Sequence, residues 1–327
     1  MSESADYDPG VWRGHDFKSA RAAYHRDVVD RGYDDAVALS KKHADLLPKT
    51  LATNSTSPLV IVCDVTGSMG EWPATIFSKL PYLDHEVKTE YLGVDAEICF
   101  AAVGDANCDQ YPAQARPFSK GKGLAEQLKG LVIEGGGGGQ IQESYELMAL
   151  YFARNVAMPK AVRPVLIFIG DEAPYEVVSP EQAKKVIYTT LNQRILAKEV
   201  FEELKQRFDV YLIRKPYGSS TRNEMDSTNQ GIHSAWVELL GEDHVCILPE
   251  PGRVVDVIFG ILARAAGRVD YFRKELEDRQ TKKQVDTVYK ALKTVHGTSP
   301  VPPSHQLEKD KSTLHRPTDG GKTKPLI

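Results

Sequence analysis

The sequence predicts an α/β protein, a three-layer Rossmann-like arrangement of a mostly parallel central sheet with helices on both faces. Three observations point there. Short runs rich in β-branched and apolar residues recur along residues 58–266. Amphipathic stretches with helical spacing separate them, and alternation of the two is the pattern of βαβ units. Two of the apolar runs end in an acid, at Asp64 and Asp171, and the C-terminal edge of such a sheet is where ligands bind.

Residues 1–57 precede the first core strand and read as an N-terminal helical arm. Phe17, Ala20, Tyr24 and Val28 recur at helical spacing, Gly32 interrupts them, and Asp34 can cap a second helix that runs to Leu47 and stops at Pro48. Leu51–Pro58, with its Thr, Asn and Ser, reads as a linker. Within 58–266 the expected strands are Leu59–Cys63, Ala96–Val103, Val165–Gly170, Phe208–Ile213 and His244–Leu248. The expected helices are Pro73–Leu83, Leu124–Leu131, Glu143–Asn155, Pro180–Arg207, Arg222–Leu240 and Arg253–Ala266. Residues 267–296 form a charged helix whose stripe of Val285, Val288, Leu292 and Val295 suits docking by one face. From residue 297 to 327 Pro, Ser, Thr, Lys and Gly dominate without apolar periodicity, the composition of a disordered tail.

A net charge of −4 with 26% charged residues gives no global attraction to nucleic acid or anionic membrane. The longest apolar runs are strand-sized, and the N-terminus is acidic, unlike a signal peptide. Cys63, Cys99 and Cys246 sit within apolar runs and Cys108 does not; no Cys-x-x-Cys pair suggests zinc. The chain reads as cytoplasmic.

Three loops carry chemistry. In Asp64-Val-Thr66-Gly-Ser68-Met-Gly70 a carboxylate and two hydroxyls fall at alternate positions after a buried strand. They are hard oxygen ligands, suited to Mg²⁺ or Mn²⁺ and not to zinc; a plain strand-to-helix turn capped by Thr66 or Ser68 would use the same residues. In the second loop Glu134 and Gly135–Gly139 precede Gln140, Glu143 and Ser144. Five glycines are costly to order, which favours close approach of backbone to a ligand; no Gly-Lys-Ser/Thr follows to make a phosphate loop. The third is Gly170-Asp171-Glu172, an acidic pair at a strand end.

In this order the loops resemble those of a von Willebrand factor A domain, over about residues 58–266. Asp64-Val-Thr66-Gly-Ser68 is similar to the family's metal-ion-dependent adhesion site motif, Asp-x-Ser/Thr-x-Ser, and Gly170-Asp171 to its distal Asp loop. Gln140 stands where the family carries Thr or Asp. The resemblance implies an Mg²⁺ (or Mn²⁺) held directly by Thr66 and Ser68 and through water by Asp64 and Asp171, with Gln140 or Glu143 as the second-loop ligand. It implies recognition of a partner's Asp or Glu without turnover. Bacterial members of this look often act beside MoxR-type AAA+ ATPases or in stress-response clusters. Asp64-Val-Thr-Gly-Ser also resembles the loop of haloacid-dehalogenase-like phosphotransferases, which would make Asp64 a nucleophile but requires a second downstream acid where Pro174 and Tyr175 stand. Ro-type RNA binding would need a larger helical region and a dense basic patch.

Overall fold

The computed structural model describes residues 46–70, 72–80, 83–133, 141–218 and 226–296. The first arm's helical spacing at Phe17–Val28, the cap at Asp34, the glycine run with Gln140, and the tail 297–327 lie outside these residues.

The central sheet contains β1 (Leu59–Asp64), β2 (Ile98–Val103), β3 (Ala113–Ala115), β4 (Val165–Gly170), β5 (Asp209–Arg214) and β6 (Val245–Ile247), in the spatial order β6-β5-β4-β1-β2-β3. All neighbours are parallel except the β2–β3 edge pair. The five expected strands are therefore present, with ends shifted by a residue or two. The edge strand β3 was not foreseen, because Ala113–Ala115 has neither length nor β-branching to announce it.

Side chains alternate between the two faces of each strand, and two apolar cores result. Leu59, Ile61 and Cys63 of β1 join Ile167 and Ile169 of β4 on one face; Val60 and Val62 join Leu166 and Phe168 on the other. The first face is covered by α1 (Trp72–Lys79), α2 (Leu83–Glu86) and α3 (Gly123–Lys129), and the second by α4 (Tyr145–Arg154), α5 (Pro180–Val186), α6 (Ala197–Lys205) and α7 (Ser227–Leu240). The first face also receives α8 (Val254–Ala266), α9 (Val269–Arg279), α10 (Lys282–Ala291) and α11 (Lys293–His296). Helix α4 is buried along all but its last residue, Glu146 included, whose carboxyl accepts from Tyr175 N at 3.1 Å. Helix α6 buries Ala197, Val200, Phe201 and Leu204, a one-sided stripe.

Three expected elements come out differently. The single helix over Pro180–Arg207 is two. Helix α5, capped by Ser179 with Pro180 in its first turn, ends before Tyr188, which adopts a left-handed φ of 57°. A small antiparallel pair, Val177–Val178 with Ile195–Leu196, then starts α6. The Leu51–Pro58 segment is no free linker: Leu51–Ala52 pairs in parallel with Val156–Ala157. Its hydroxyls satisfy the backbone locally, Ser55 N donating to Thr53 Oγ1 at 2.9 Å and Ser57 N to Ser55 Oγ at 3.1 Å, which is why turn-like composition concealed a buried strap. The charged helix of residues 267–296 is α9, α10 and α11, broken where Thr281 N-caps α10 with Gln284 as its capping-box partner. The expected stripe is buried: Val285, Val288, Leu292 and Val295 are all below a tenth exposed. Cys63, Cys99 and Cys246 are buried free thiols and Cys108 is exposed. No helix among the described residues is long and apolar enough to cross a membrane.

Candidate metal centre

The strand order reverses between β1 and β4, and the crevice outside their C-terminal ends is the switch point at which α/β sheets bind ligands. Asp64 ends β1, and Asp171 follows β4 directly. Both are fully buried, and Thr66 is 2% exposed. Ser68 is half-buried and its neighbours Gly67 and Gly70 are exposed, so the first loop forms the open side.

The hydroxyls are ordered by the carboxylates. Asp64 Oδ1 accepts from Thr66 N at 2.9 Å and from Thr66 Oγ1 at 2.6 Å. Ser68 Oγ donates to Asp171 Oδ1 at 2.9 Å and lies 3.3 Å from Thr66 Oγ1. Each hydroxyl proton is thus directed at a carboxylate, which leaves oxygen lone pairs available to a cation. The other oxygen of Asp64, Oδ2, accepts from Tyr145 Oη at 2.6 Å. Tyr145 opens α4 and is wedged edge-on between Phe168 and Trp236. Gly170 makes that reach possible, because a Cβ there would lie 1.8 Å from the Tyr145 hydroxyl.

Two more acids complete the cluster. Gln142–Glu143 pairs in parallel with Ala173–Pro174, which sets Glu143 beside Glu172; they are 3% and 2% exposed. Among the described residues, Glu143 Oε2 and Glu172 Oε2 have no hydrogen-bond partner. Burial and mutual repulsion discourage ionisation throughout. Asp64 is pushed up to about 7 by burial and then by Asp171, against the pull of Thr66 and Tyr145. Glu172 rises to about 8 through burial, Asp171 and Asp64, and Glu143 to about 11 through burial, Asp64 and Glu172. Burial also raises Asp171, with Lys215 opposing. Lys215 Nζ lies 2.7 Å from Asp171 Oδ2.

Of the residues singled out by sequence, Asp64, Thr66, Ser68 and Asp171 therefore form one hydrogen-bonded group, and Glu143 joins its electrostatics. Gln140 lies outside the described residues. Sequence reasoning missed Tyr145, treated as core; Glu172, noted only as the neighbour of Asp171; and Lys215. The last had a legible signal, a basic residue at the end of the expected strand Phe208–Ile213, on the sheet edge that carries the acids.

The donor set fits a hard divalent cation. It is all oxygen, and among the described residues four carboxyls face one ammonium and two buried carboxyl oxygens have no partner. Among the described residues no three His, Cys, Asp or Glu side chains are gathered closely enough to hold an ion by themselves, so any such site relies on the hydroxyls of Thr66 and Ser68.

The sequence matches no protein-family model, and no curated protein matches it. Among solved structures it is similar to the pilus adhesin SpaC from Lactobacillus rhamnosus GG in its open conformation, with a TM-score of 0.47 and 9% identity over 69% of this chain and 31% of the adhesin. A second structure of that adhesin gives 0.47 and 11% over 68% and 32%. Proximal thread matrix protein 1 from the mussel byssus gives 0.42 and 10% over 65% of this chain and 48% of its own. The chain thus spans about a third of the adhesin and about half of the mussel protein.

Proposed function

We propose that this chain is a metal-dependent protein–protein interaction module of the von Willebrand factor A type, which binds an Asp or Glu side chain of a partner protein. The observation that carries the reading is the paired arrangement Thr66–Asp64 and Ser68–Asp171, in which hydroxyls give their protons to buried carboxylates at the sheet's switch point. A bound Mg²⁺ or Mn²⁺ would supply a Lewis-acidic seat for the incoming carboxylate. Thr66 and Ser68 offer the direct ligands, Asp64 and Asp171 fix their orientation, and Glu143 and Glu172, which burial holds protonated, would ionise only against a bound cation. The half-buried Ser68 and its exposed glycines leave the approach from solvent to the partner.

Recognition without turnover is favoured over a phosphotransferase reading by the state of Asp64. It is fully buried, and its two oxygens together accept three hydrogen bonds; a nucleophile needs an oxygen open to its substrate. The resemblance supplies a MoxR-type AAA+ ATPase in a bacterial stress-response system as the partner class, and the cytoplasm as the compartment; the modest net charge disfavours nucleic acid.

Calorimetric titration of the full chain with Mg²⁺ and with Mn²⁺ tests the site. One ion should bind, and Asp64→Ala should abolish it; equal binding by the variant would place any ion elsewhere. A captured partner should dissociate in EDTA, and survival of the complex there would remove the metal from recognition.

A further inference from the structure

We propose that Lys215 is a tethered counter-cation of this site, an ammonium that ties the β1 and β4 loops together and competes with a divalent ion for Asp171. The inference rests on the metal reading above and adds a residue that limits metal affinity.

The backbone puts Lys215 in place. It directly follows β5, whose register aligns Arg214 with Gly170, and Lys215 N donates to Gly170 O at 2.9 Å, one step beyond the ladder. Its side chain is thereby fixed beside Asp171. The ammonium donates to Asp171 Oδ2 at 2.7 Å and to the Ser68 carbonyl at 3.0 Å, so it spans both metal-site loops. It is 8% exposed; its stem is buried and its charge faces inward.

Asp171 therefore has both oxygens engaged, Oδ1 by Ser68 and Oδ2 by Lys215. A cation that draws on this carboxylate meets a like charge already seated there. Among the described residues, Lys215 is the cation that an ion pair places on Asp64, Asp171, Glu143 or Glu172. One ammonium against four carboxyls holds the loops in place without neutralising the cluster. A divalent ion that enters must share Asp171 with Lys215 or release it, and repulsion at such range in a partly buried site is worth at least a factor of ten in affinity, about 1.4 kcal/mol.

Lys215→Met keeps the unbranched stem and removes the charge; Lys215→Arg keeps the charge. Both are compared with the parent chain by Mn²⁺ calorimetry, and by melting in EDTA and in saturating Mn²⁺. Lys215→Met should bind Mn²⁺ about tenfold tighter or more, melt several degrees lower in EDTA, and recover in Mn²⁺. Lys215→Arg should stay within about threefold of the parent in affinity. If the parent shows no binding and Lys215→Met does, the ammonium fills the seat outright, and the inference stands. If Lys215→Met binds equally or more weakly while the parent binds, competition is wrong and the metal reading survives. If neither binds, the metal reading fails and the competition fails with it.

Discussion

Replacing Gly170 by alanine should uncouple Tyr145 from Asp64. A Cβ at this position would lie 1.8 Å from the Tyr145 hydroxyl, 2.7 Å from Cζ and 3.1 Å from Cε1, so the ring must move and the 2.6 Å bond to Asp64 Oδ2 must break. A hydrogen bond to a charged group is worth about 1.5–3 kcal/mol. Forcing a methyl into a packed interior costs about 1–3 kcal/mol more. Gly170→Ala should therefore destabilise by about 2.5–6 kcal/mol. Tyr145→Phe removes the same hydrogen bond without the crowding and should cost about 1.5–3 kcal/mol. With the hydroxyl already gone, Gly170→Ala has only the ring to displace, so the double variant should fall short of additivity by about 1.5–3 kcal/mol, the signature of a shared contact. Urea unfolding in EDTA at pH 8, where Asp64 is largely ionised, reads all four corners of the cycle. Additivity within about 0.5 kcal/mol would show that the hydroxyl does not lie between Gly170 and Asp64.

Leu292 is 1% exposed and approaches so near to Gly260 that a Cβ there would lie 2.2 Å from Leu292 Cδ1; Leu292→Ala should cost about 2–5 kcal/mol in urea unfolding, and a loss below about 1 would make the C-terminal helices an appendage. His244 is raised above its ordinary value chiefly by its hydrogen bond to Asp209, then by Asp243. Its stabilisation is full below about pH 6 and is lost as pH rises through the raised value. The stability difference from His244→Gln should accordingly shrink between pH 6 and 9, by at most about 1 kcal/mol for a pair this accessible. In EDTA the protein should lose stability as pH rises from about 4 towards 8, because Asp64, raised to about 7 by burial and Asp171, and with it Glu172 and Glu143, hold in the folded state protons that the unfolded chain has released. Asp64→Asn should make that slope shallower, and an unchanged slope would mean that Asp64 contributes nothing to it.

The sheet was legible because its strands are buried on both faces. Leu59–Asp64 and Val165–Gly170 are buried at every position, and such strands appear in sequence as unbroken apolar runs. Elements whose stability comes from tertiary contacts were not legible. Ala113–Ala115 is a strand because β2 offers it an edge, and Leu51–Ala52 because Val156–Ala157 lies alongside. The site divides in the same way. Asp64, Thr66, Ser68 and Asp171 are close to strand ends, where spacing fixes direction. Tyr145 and Lys215 enter from α4 and from the end of β5, and only the fold brings them to Asp64 and Asp171.

The cluster's energetics follow from that assembly. A buried carboxyl without a partner costs stability unless it stays protonated or meets a cation, and here Asp64, Asp171, Glu143 and Glu172 crowd one crevice. The structure bears part of this through Tyr145, Thr66 and Ser68, which donate to Asp64 and Asp171, and part through Lys215, which neutralises one charge. Glu143 and Glu172 each keep a buried oxygen that nothing among the described residues satisfies. A fold that needed only stability would lose little by making those two residues apolar, since well-packed apolar groups commonly equal or exceed buried polar ones. Their presence in a crevice that already holds Asp64 and Asp171 would be offset by a ligand that carries more positive charge than Lys215 provides. The divalent cation proposed above meets that requirement, and on that proposal the ammonium resting on Asp171 limits how tightly it is held.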